Sequence, residues 1–397
     1  MKPLTAHHCF DSPQANERSK LEVPLPIRFT IYCVLPLVLV AVTFAQEIVT
    51  DCDRYAASHL DPQRKAAGID LDKIDLALAV PACEQAVRQF PDSLRLTYQL
   101  GRAYEKANKF TAALEQYRKA ADQNYAAAQL AVAQMYASGQ GVAQDEPQYI
   151  FWVHKAAGQG YPVAQDALGY VYFEGRGVPK DDQQAAAWFR KAADQGYVPA
   201  QNKLGFMYQN GEGVEKDDHQ AVAWFRKAAR QGFAPAQDRL GFIHQNGEGV
   251  PKDDEQALAW FRRAADQGYA PSQDRLGFMY LNGEGVAQDE QQAVAWYRKA
   301  ANQGYAFAQH SLGAMYANGR GVPKDDQQAV VWYRKAAEYG LPDARYSLGL
   351  AYENGQGVPQ DLTQAIAWFR KAAEQGHKEA KAKLDELEAI RNANGRQ

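Results

Sequence analysis

Tryptophan recurs in this chain at a constant interval of 36 residues, and no other feature constrains the fold as strongly. The seven positions are Trp152, Trp188, Trp224, Trp260, Trp296, Trp332 and Trp368. Paired glycines keep the same interval, from Gly139 and Gly141 to Gly355 and Gly357. A fixed period of this kind indicates one supersecondary unit stacked on copies of itself. The sequence therefore predicts a solenoid, in which identical units offer an extended surface rather than a single catalytic centre.

Each repeat is predicted to contain two amphipathic helices joined by a glycine-bearing loop. In one unit the apolar stripe of the first helix consists of Ala200, Leu204 and Tyr208. This helix is expected to end at Gly211, since glycine readily takes the left-handed conformation that stops a helix. The second helix is expected to begin after Asp217 and Asp218, whose carboxylates can accept hydrogen bonds from free N–H groups, and to end at Gly232.

A glycine also recurs inside the first helix of six units. These residues are Gly169, Gly205, Gly241, Gly277, Gly313 and Gly349. Glycine in a helix costs about 1 kcal/mol relative to alanine, so a compensating contact is expected at each position. We expect the two helices of a unit to approach closely there, with alanines such as Ala228 facing the glycine and the tryptophan filling the wider gap beside them.

The repeat can be written A-Q-x-x-L-G-x-M-Y-x-N-G-x-G-V, followed after an acidic stretch by A-x-A-W-F/Y-R-K-A-A-x-Q-G. This pattern resembles the Sel-one-like repeat (SLR) family, a relative of the tetratricopeptide repeats with a longer loop between the helices. The resemblance covers seven consecutive units, residues 126–379, here numbered in chain order. It is weaker where Ala133 replaces the helix glycine and His244 replaces the tyrosine. It implies an all-α fold, a right-handed α-solenoid of stacked helix–loop–helix repeats.

Shorter segments flank the seven repeats. Residues 94–125 carry the same L-G-x-x-Y and Y-R-K-A-A signatures with a connection of four residues, and they resemble an ordinary tetratricopeptide repeat. Residues 46–93 are interpreted as an N-terminal cap whose final helix has Pro81 in its first turn. Residues 380–397 are interpreted as a polar C-terminal capping helix and tail, because Asp385 stands where the repeats have the helix glycine.

Residues 29–45 are uncharged and mostly apolar, and a polar, charged chain follows them. We interpret residues 1–45 as a signal peptide that is cleaved ahead of Gln46, which places the protein in the periplasm or outside the cell. An uncleaved anchor in the inner membrane and a cytosolic location are the alternatives. Pro36 interrupts the apolar segment, and its 17 residues are few for a membrane span.

Export leaves two of the four cysteines, Cys52 and Cys83, in the mature chain. An even pair in an oxidising compartment is a candidate disulfide. A reactive thiol pair is the alternative, but the two cysteines lie 31 residues apart and lack the C-x-x-C spacing of redox motifs.

No catalytic, cofactor-binding or metal site is predicted. The chain contains no S-x-x-K, G-x-S-x-G, H-E-x-x-H or Walker A motif, and its eight histidines are scattered. Acidic pairs beside the glycine loops, such as Asp217 and Asp218, lack the alternating oxygen ligands of a calcium loop and are interpreted as helix caps. A net charge of −3 and a pI near 6.3 give no basic footprint for nucleic acid.

On the first helices, three positions spaced i, i+4 and i+7 form a face away from the apolar stripe. In units two to five these residues are Asp166, Tyr170, Phe173, Asn202, Phe206, Gln209, Asp238, Phe242, Gln245, Asp274, Phe278 and Leu281. Tetratricopeptide-type solenoids line their concave side with first helices, so the resemblance implies a groove of aromatic steps with polar rims. Packing of these aromatic residues between neighbouring repeats is the alternative. The loop residue Glu248 is expected to affect neither stability nor binding.

SLR proteins are generally adaptors, so the resemblance implies a non-enzymatic scaffold for protein–protein interaction. We expect an exported monomer that binds a protein of the cell envelope or of a host through its concave face. No nucleic acid is expected as a partner, and a membrane only if the N-terminal segment is retained. A β-lactamase-like or penicillin-binding activity, described for some cysteine-rich SLR proteins, is one alternative, against which the missing S-x-x-K motif argues. An adaptor for envelope polysaccharide is the other.

Overall fold

The computed structural model describes residues 49–394, which form helices joined by short loops, with no strand among them. The helices are α1 (Asp51–Ala56), α2 (Leu76–Gln89), α3 (Leu94–Lys106), α4 (Phe110–Ala121), α5 (Ala126–Ser138), α6 (Glu146–Gly158), α7 (Pro162–Glu174), α8 (Asp182–Asp194), α9 (Val198–Asn210), α10 (Asp218–Arg230), α11 (Ala234–Asn246), α12 (Asp254–Asp266), α13 (Ala270–Asn282), α14 (Glu290–Asn302), α15 (Ala306–Asn318), α16 (Asp326–Glu338), α17 (Pro342–Asn354), α18 (Leu362–Ala373) and α19 (Lys378–Asn394). Each helix packs against its neighbours in the chain, which confirms the all-α class and the α-solenoid.

The predicted signal segment, residues 1–45, lies outside the described residues. Within residues 49–394, the helices are too short or too polar to cross a membrane. The predicted cap corresponds to α1, a 3₁₀ turn at Leu71–Lys73 and α2, and the predicted C-terminal capping helix corresponds to α19.

The helix ends within a repeat follow from local chemistry. Helix α9 is followed by Gly211, whose φ of 74° is left-handed. Asp217 caps α10, because its side chain accepts a hydrogen bond from the Gln220 N–H at 3.0 Å. Asp218 is the first residue of α10, where a carboxylate favours the positive end of the helix. Gly232, with a φ of 87°, then returns the chain to the next first helix.

The glycine inside each first helix makes room for an aromatic ring of the second helix. A Cβ atom at Gly205 would lie 2.7 Å from the Phe225 ring, and the five equivalent glycines face equivalent rings at 2.5–2.7 Å. The expectation that Ala228 faces the glycine is therefore wrong, because the gap admits a whole ring. Trp224 packs against α8 and α9, so it joins its unit to the preceding one.

Buried glutamines join successive units through side-chain hydrogen bonds. Gln201 donates from Nε2 to the Ala193 carbonyl of the preceding unit at 3.1 Å, and its Oε1 accepts a hydrogen bond from Gln231 at 2.9 Å. The glutamine pairs, with donor–acceptor distances of 2.6–2.9 Å, are Gln129–Gln159, Gln165–Gln195, Gln201–Gln231, Gln237–Gln267 and Gln273–Gln303. We call these five pairs the glutamine ladder. The two glutamines of a rung belong to one unit, and the first of them also bonds a carbonyl near the C-terminal end of the preceding helix, as Gln201 does with Ala193.

The N-terminal cap packs on α3 through contacts that are not repeated elsewhere. A disulfide joins Cys52 to Cys83, with an S–S distance of 2.06 Å. Arg102 of α3 donates to the carbonyls of Ala56 and Ile69 at 2.7 and 2.6 Å. These bonds hold the end of α1 and a separate loop of the cap on one guanidinium group.

Buried carboxylates complete the attachment of the cap. Asp53 is fully buried, accepts a hydrogen bond from Gln99 at 3.1 Å and pairs with Arg95. Asp61 accepts a hydrogen bond of 2.6 Å from the hydroxyl of Tyr125, which precedes the first repeat. The cap is therefore bonded both to α3, which follows it in the chain, and to the start of the repeats.

Pro81 lies in the interior of α2, so the prediction that it occupies the first turn is wrong. Helix α2 begins at Leu76, where the side chain of Asp75 accepts a hydrogen bond from the Ala77 N–H at 3.0 Å. This cap starts the helix ahead of the proline, which then leaves one main-chain carbonyl without its usual N–H donor.

Candidate functional site

The residues of the predicted groove lie on four successive first helices, α7, α9, α11 and α13. Asp166 is 9% exposed, whereas Tyr170 and Phe278 are 37% and 39% exposed. The remaining members of the set are partly buried. We call the surface formed by these twelve residues the aromatic face.

The central rings of the aromatic face pack edge-on against buried rings of the second helix in the same unit. The ring centroids are 5.0 Å apart for Tyr170–Phe189, 4.9 Å for Phe206–Phe225 and 5.3 Å for Phe242–Phe261. Edge-to-face pairs contribute about 0.5–1.5 kcal/mol beyond the burial of their area. One edge of each ring therefore contributes to packing, while part of the ring stays accessible to solvent.

A positive side chain from the following unit lies over the aromatic rings in three places. The distances from the charged group to the ring centroid are 3.4 Å for Lys203–Phe173, 6.0 Å for Arg239–Phe206 and 4.4 Å for Arg275–Phe242. Such cation–π contacts contribute about 0.5–1 kcal/mol at exposed sites. This row of cations was not predicted, although its signal is visible in the sequence, since the three residues are one period of 36 apart.

The polar rim of the aromatic face is bonded to the loop of the following unit. Gln209 donates to Glu248 at 2.7 Å, and Arg239 both donates to Gln209 at 3.0 Å and pairs with Glu248 at 2.7 Å. Gln245 donates in the same way to Glu284 at 2.9 Å. The expectation that Glu248 is without influence on stability is therefore not supported, because its carboxylate links two units.

Acidic side chains of the aromatic face are buried without full hydrogen bonding. Burial raises the pKa of Asp166 to about 7 and that of Asp274 to about 6. One carboxylate oxygen of each residue is buried without a hydrogen-bond partner. Asp238 differs, because Ser272 of the next first helix donates a 2.5 Å hydrogen bond to it. Asp166 and Asp274 therefore each keep a buried oxygen without a hydrogen-bond donor, which is consistent with their raised pKa values.

Among the described residues, the acidic pairs beside the glycine loops serve as helix caps rather than as metal ligands. Within residues 49–394, no group of His, Cys, Asp and Glu side chains is arranged to hold a metal ion. Asp181, Asp217, Asp253 and Asp325, each the first residue of an acidic pair, accept hydrogen bonds at the start of a second helix.

Comparison with known proteins identifies the family of the repeat. The family model described as Sel1 repeat matches the chain at residues 126–161, 162–197, 198–233, 234–269, 270–305, 306–340 and 342–377. Each match coincides with one helix pair, from α5–α6 to α17–α18. The comparison with curated proteins gives no match.

Two solved structures share both sequence and fold with this chain. The protein c5321, described as a protective antigen of uropathogenic Escherichia coli strains that displays an SLR fold, is 37% identical, with a TM-score of 0.67. That alignment covers 76% of this chain and 66% of c5321, so the chain spans just under two thirds of that protein. A Sel1 repeat protein from Oxalobacter formigenes is 33% identical, with a TM-score of 0.62 and coverage of 81% of this chain and 97% of that one.

Proposed function

The chain belongs to the Sel1 repeat family, and from this membership we propose that it is an exported, non-enzymatic scaffold that binds a protein through its aromatic face. Sel1 repeat proteins are generally protein-interaction modules. We further propose that the partner is a protein of the cell envelope or of a host, that the scaffold acts as a monomer, and that residues 1–45 direct its export to the periplasm or beyond.

The observation that carries the proposal is the composition of the aromatic face. Exposed rings at Tyr170 and Phe278 lie in the first and last units of the face, and the cations Lys203, Arg239 and Arg275 lie over other rings of the face between them. Aromatic residues and arginine are enriched at protein interfaces, where they supply most of the binding energy.

Phe278 is the best residue with which to test this proposal, because it is the most exposed ring of the face at 39%. A photo-crosslinking amino acid in place of Phe278 should capture a specific protein from envelope or host extract. Phe278→Ala should then weaken binding of that purified protein by more than about 1 kcal/mol, roughly fivefold, while the melting temperature changes little.

Phe151→Ala is the matched control, because Phe151 is an exposed phenylalanine, at 51%, on the second helix α6. This variant should leave partner binding unchanged. Equal loss of binding in both variants, or loss of binding in Phe278→Ala only together with unfolding, would remove the aromatic face as the binding surface.

The proposal of export has its own test. Mass spectrometry of the protein recovered from the periplasm or the medium should give a chain that begins at Gln46, with no free thiol at Cys52 or Cys83 under denaturing conditions. Recovery of the intact chain in the membrane fraction would instead support the anchor, and recovery in the cytosol would exclude export.

A further inference from the structure

The glutamine ladder is interrupted in unit six. Tyr339 stands at the position that Gln159, Gln195, Gln231, Gln267 and Gln303 occupy in the earlier units. Gln309, the expected partner, still donates to the Ala301 carbonyl at 3.2 Å. Its Oε1 atom, however, is buried and accepts no hydrogen bond. One rung therefore lacks its donor, although the acceptor is in place.

The unpaired acceptor belongs to a buried side chain. Gln309 is 3% exposed, so its side chain is more than nine-tenths buried. An amide oxygen that is buried without a partner costs about 1–3 kcal/mol. Arg345 replaces the corresponding glutamine of unit seven and donates to the Ala337 carbonyl at 3.2 Å, so the ladder does not resume beyond this point.

An open notch lies where the missing rung would be. It has a volume of about 490 Å³, and Gln303, Gly304, Gln309, Lys335, Glu338 and Tyr339 are among its lining residues. The Tyr339 side chain does not fill it, since that residue is 70% exposed. A buried acceptor, an accessible ring and space for a side chain thus meet in one place.

We propose that this notch binds a carboxamide side chain, glutamine or asparagine, presented by an extended segment of a partner protein. The carboxamide NH₂ would donate to Gln309 Oε1, as glutamine donates at 2.6–2.9 Å in the five intact rungs. An apolar residue beside the carboxamide would pack on the Tyr339 ring.

The charges around the notch do not select an ion. Lys335 and Glu338 have opposite charges and both line the opening, so together they give no net charge that would attract a cation or an anion. A carboxamide carries no net charge and supplies the donor that Gln309 lacks. The notch shares no residue with the aromatic face, so this proposal does not depend on the function proposed for that face.

The proposal can be tested with two blocked pentapeptides, Gly-Phe-Gln-Phe-Gly and Gly-Phe-Met-Phe-Gly. Methionine resembles glutamine in length but has no N–H donor. In ligand-observed NMR titrations with the purified protein, the glutamine peptide should bind at least about fivefold more tightly, because a neutral hydrogen bond contributes about 1 kcal/mol. Phe278→Ala should leave this binding unchanged, which separates the notch from the aromatic face.

Tyr339→Gln restores the missing rung within the chain and should abolish binding of the glutamine peptide. Its melting temperature should equal or exceed that of the natural protein, so loss of binding cannot be attributed to unfolding. Gln309→Met removes the acceptor and, where its melting curve remains cooperative, should abolish the preference for the glutamine peptide. Equal affinity for the two peptides, binding of neither, or undiminished binding to Tyr339→Gln would overturn the proposal and indicate that only water occupies the notch.

Discussion

The N-terminal cap and the repeats are held together by contacts of different kinds. In the cap, each contact occurs once: a disulfide between Cys52 and Cys83, and two carbonyls held by Arg102. In the repeats, the same contacts recur from unit to unit, as the rung Gln201–Gln231, which has equivalents in units one to five, and the buried ring of Phe225 illustrate.

This difference determines how the stability of each region should respond to the loss of one contact. A solenoid unit contacts only its neighbours, so loss of one recurring contact is expected to loosen a few units and leave distant ones intact. The cap has no equivalent copies beside it, so loss of a single contact there acts on the whole segment. Variants in each region, followed by hydrogen exchange, therefore test whether the two regions respond differently.

Phe225→Ala should lower the stability of the central units by about 3–5 kcal/mol, because the ring is fully buried against Gly205. Hydrogen exchange should increase in units two to four, while the cap keeps its protection. Phe369→Ala, an equally buried ring in unit seven, should instead affect units six and seven and α19. Uniform loss of protection along the chain in either variant would show that the units do not respond locally.

Reduction of the Cys52–Cys83 disulfide should destabilise the cap by about 2–4 kcal/mol, since the bridge restricts the unfolded segment between the two residues. Hydrogen exchange should increase first in α1 and α2, and the seven repeats should be little affected. The double variant Cys52→Ser/Cys83→Ser should behave like the reduced protein without added reductant. Loss of protection that begins in the central repeats would contradict the separation of cap and repeats.

The features that depend on local chemistry could be predicted from the sequence. Gly211 ends a helix because of its own backbone freedom, and Asp217 caps one because of its own side chain. Because the same signals recur in seven repeats, a helix end predicted in one repeat is predicted in all of them, and the fold class and helix order follow from the sequence. The positions of the groove residues on first helices follow for the same reason.

Contacts that depend on how two elements meet could not be predicted. Both Ala228 and Phe225 recur with the period, and only the packing of the two helices shows that the ring faces Gly205. From the sequence Glu248 is only a loop residue, and its link to Gln209 of the preceding unit depends on how the two units pack. In the cap, where no period exists, even the start of α2 ahead of Pro81 was missed.

The pH dependence of stability should distinguish the buried acids of the two regions. Burial raises the pKa of Asp166 to about 7, so the folded protein retains a proton that the unfolded chain loses near pH 4. The free energy of unfolding should therefore fall by about 1–3 kcal/mol as the pH rises from 4 to 7. In urea titrations across this range, Asp166→Asn should flatten that dependence.

The pKa of Asp61 in the cap is also raised by burial, but its hydrogen bond from Tyr125 and the nearby Arg102 oppose the effect. Asp61→Asn should therefore flatten the pH dependence less than Asp166→Asn does. A larger change in the pH dependence for Asp61→Asn than for Asp166→Asn would show that the buried carboxyl with the greater effect on stability lies in the cap, which is the opposite of this prediction.

The smallest effect concerns a single rung of the ladder. Gln267→Tyr copies into unit four the residue that natural unit six carries at Tyr339, and it removes the donor that Gln237 Oε1 accepts at 2.7 Å. The buried oxygen then loses its partner, so unfolding of the repeats should become easier by about 1 kcal/mol. Urea denaturation followed by circular dichroism measures this change, and exchange in the cap serves as the internal reference. Every other rung remains intact in this variant. A loss much above 1–2 kcal/mol in the free energy of unfolding would therefore mean that the rungs act cooperatively rather than one by one. The loss of one contact would then affect more of the repeats than the contrast with the cap requires.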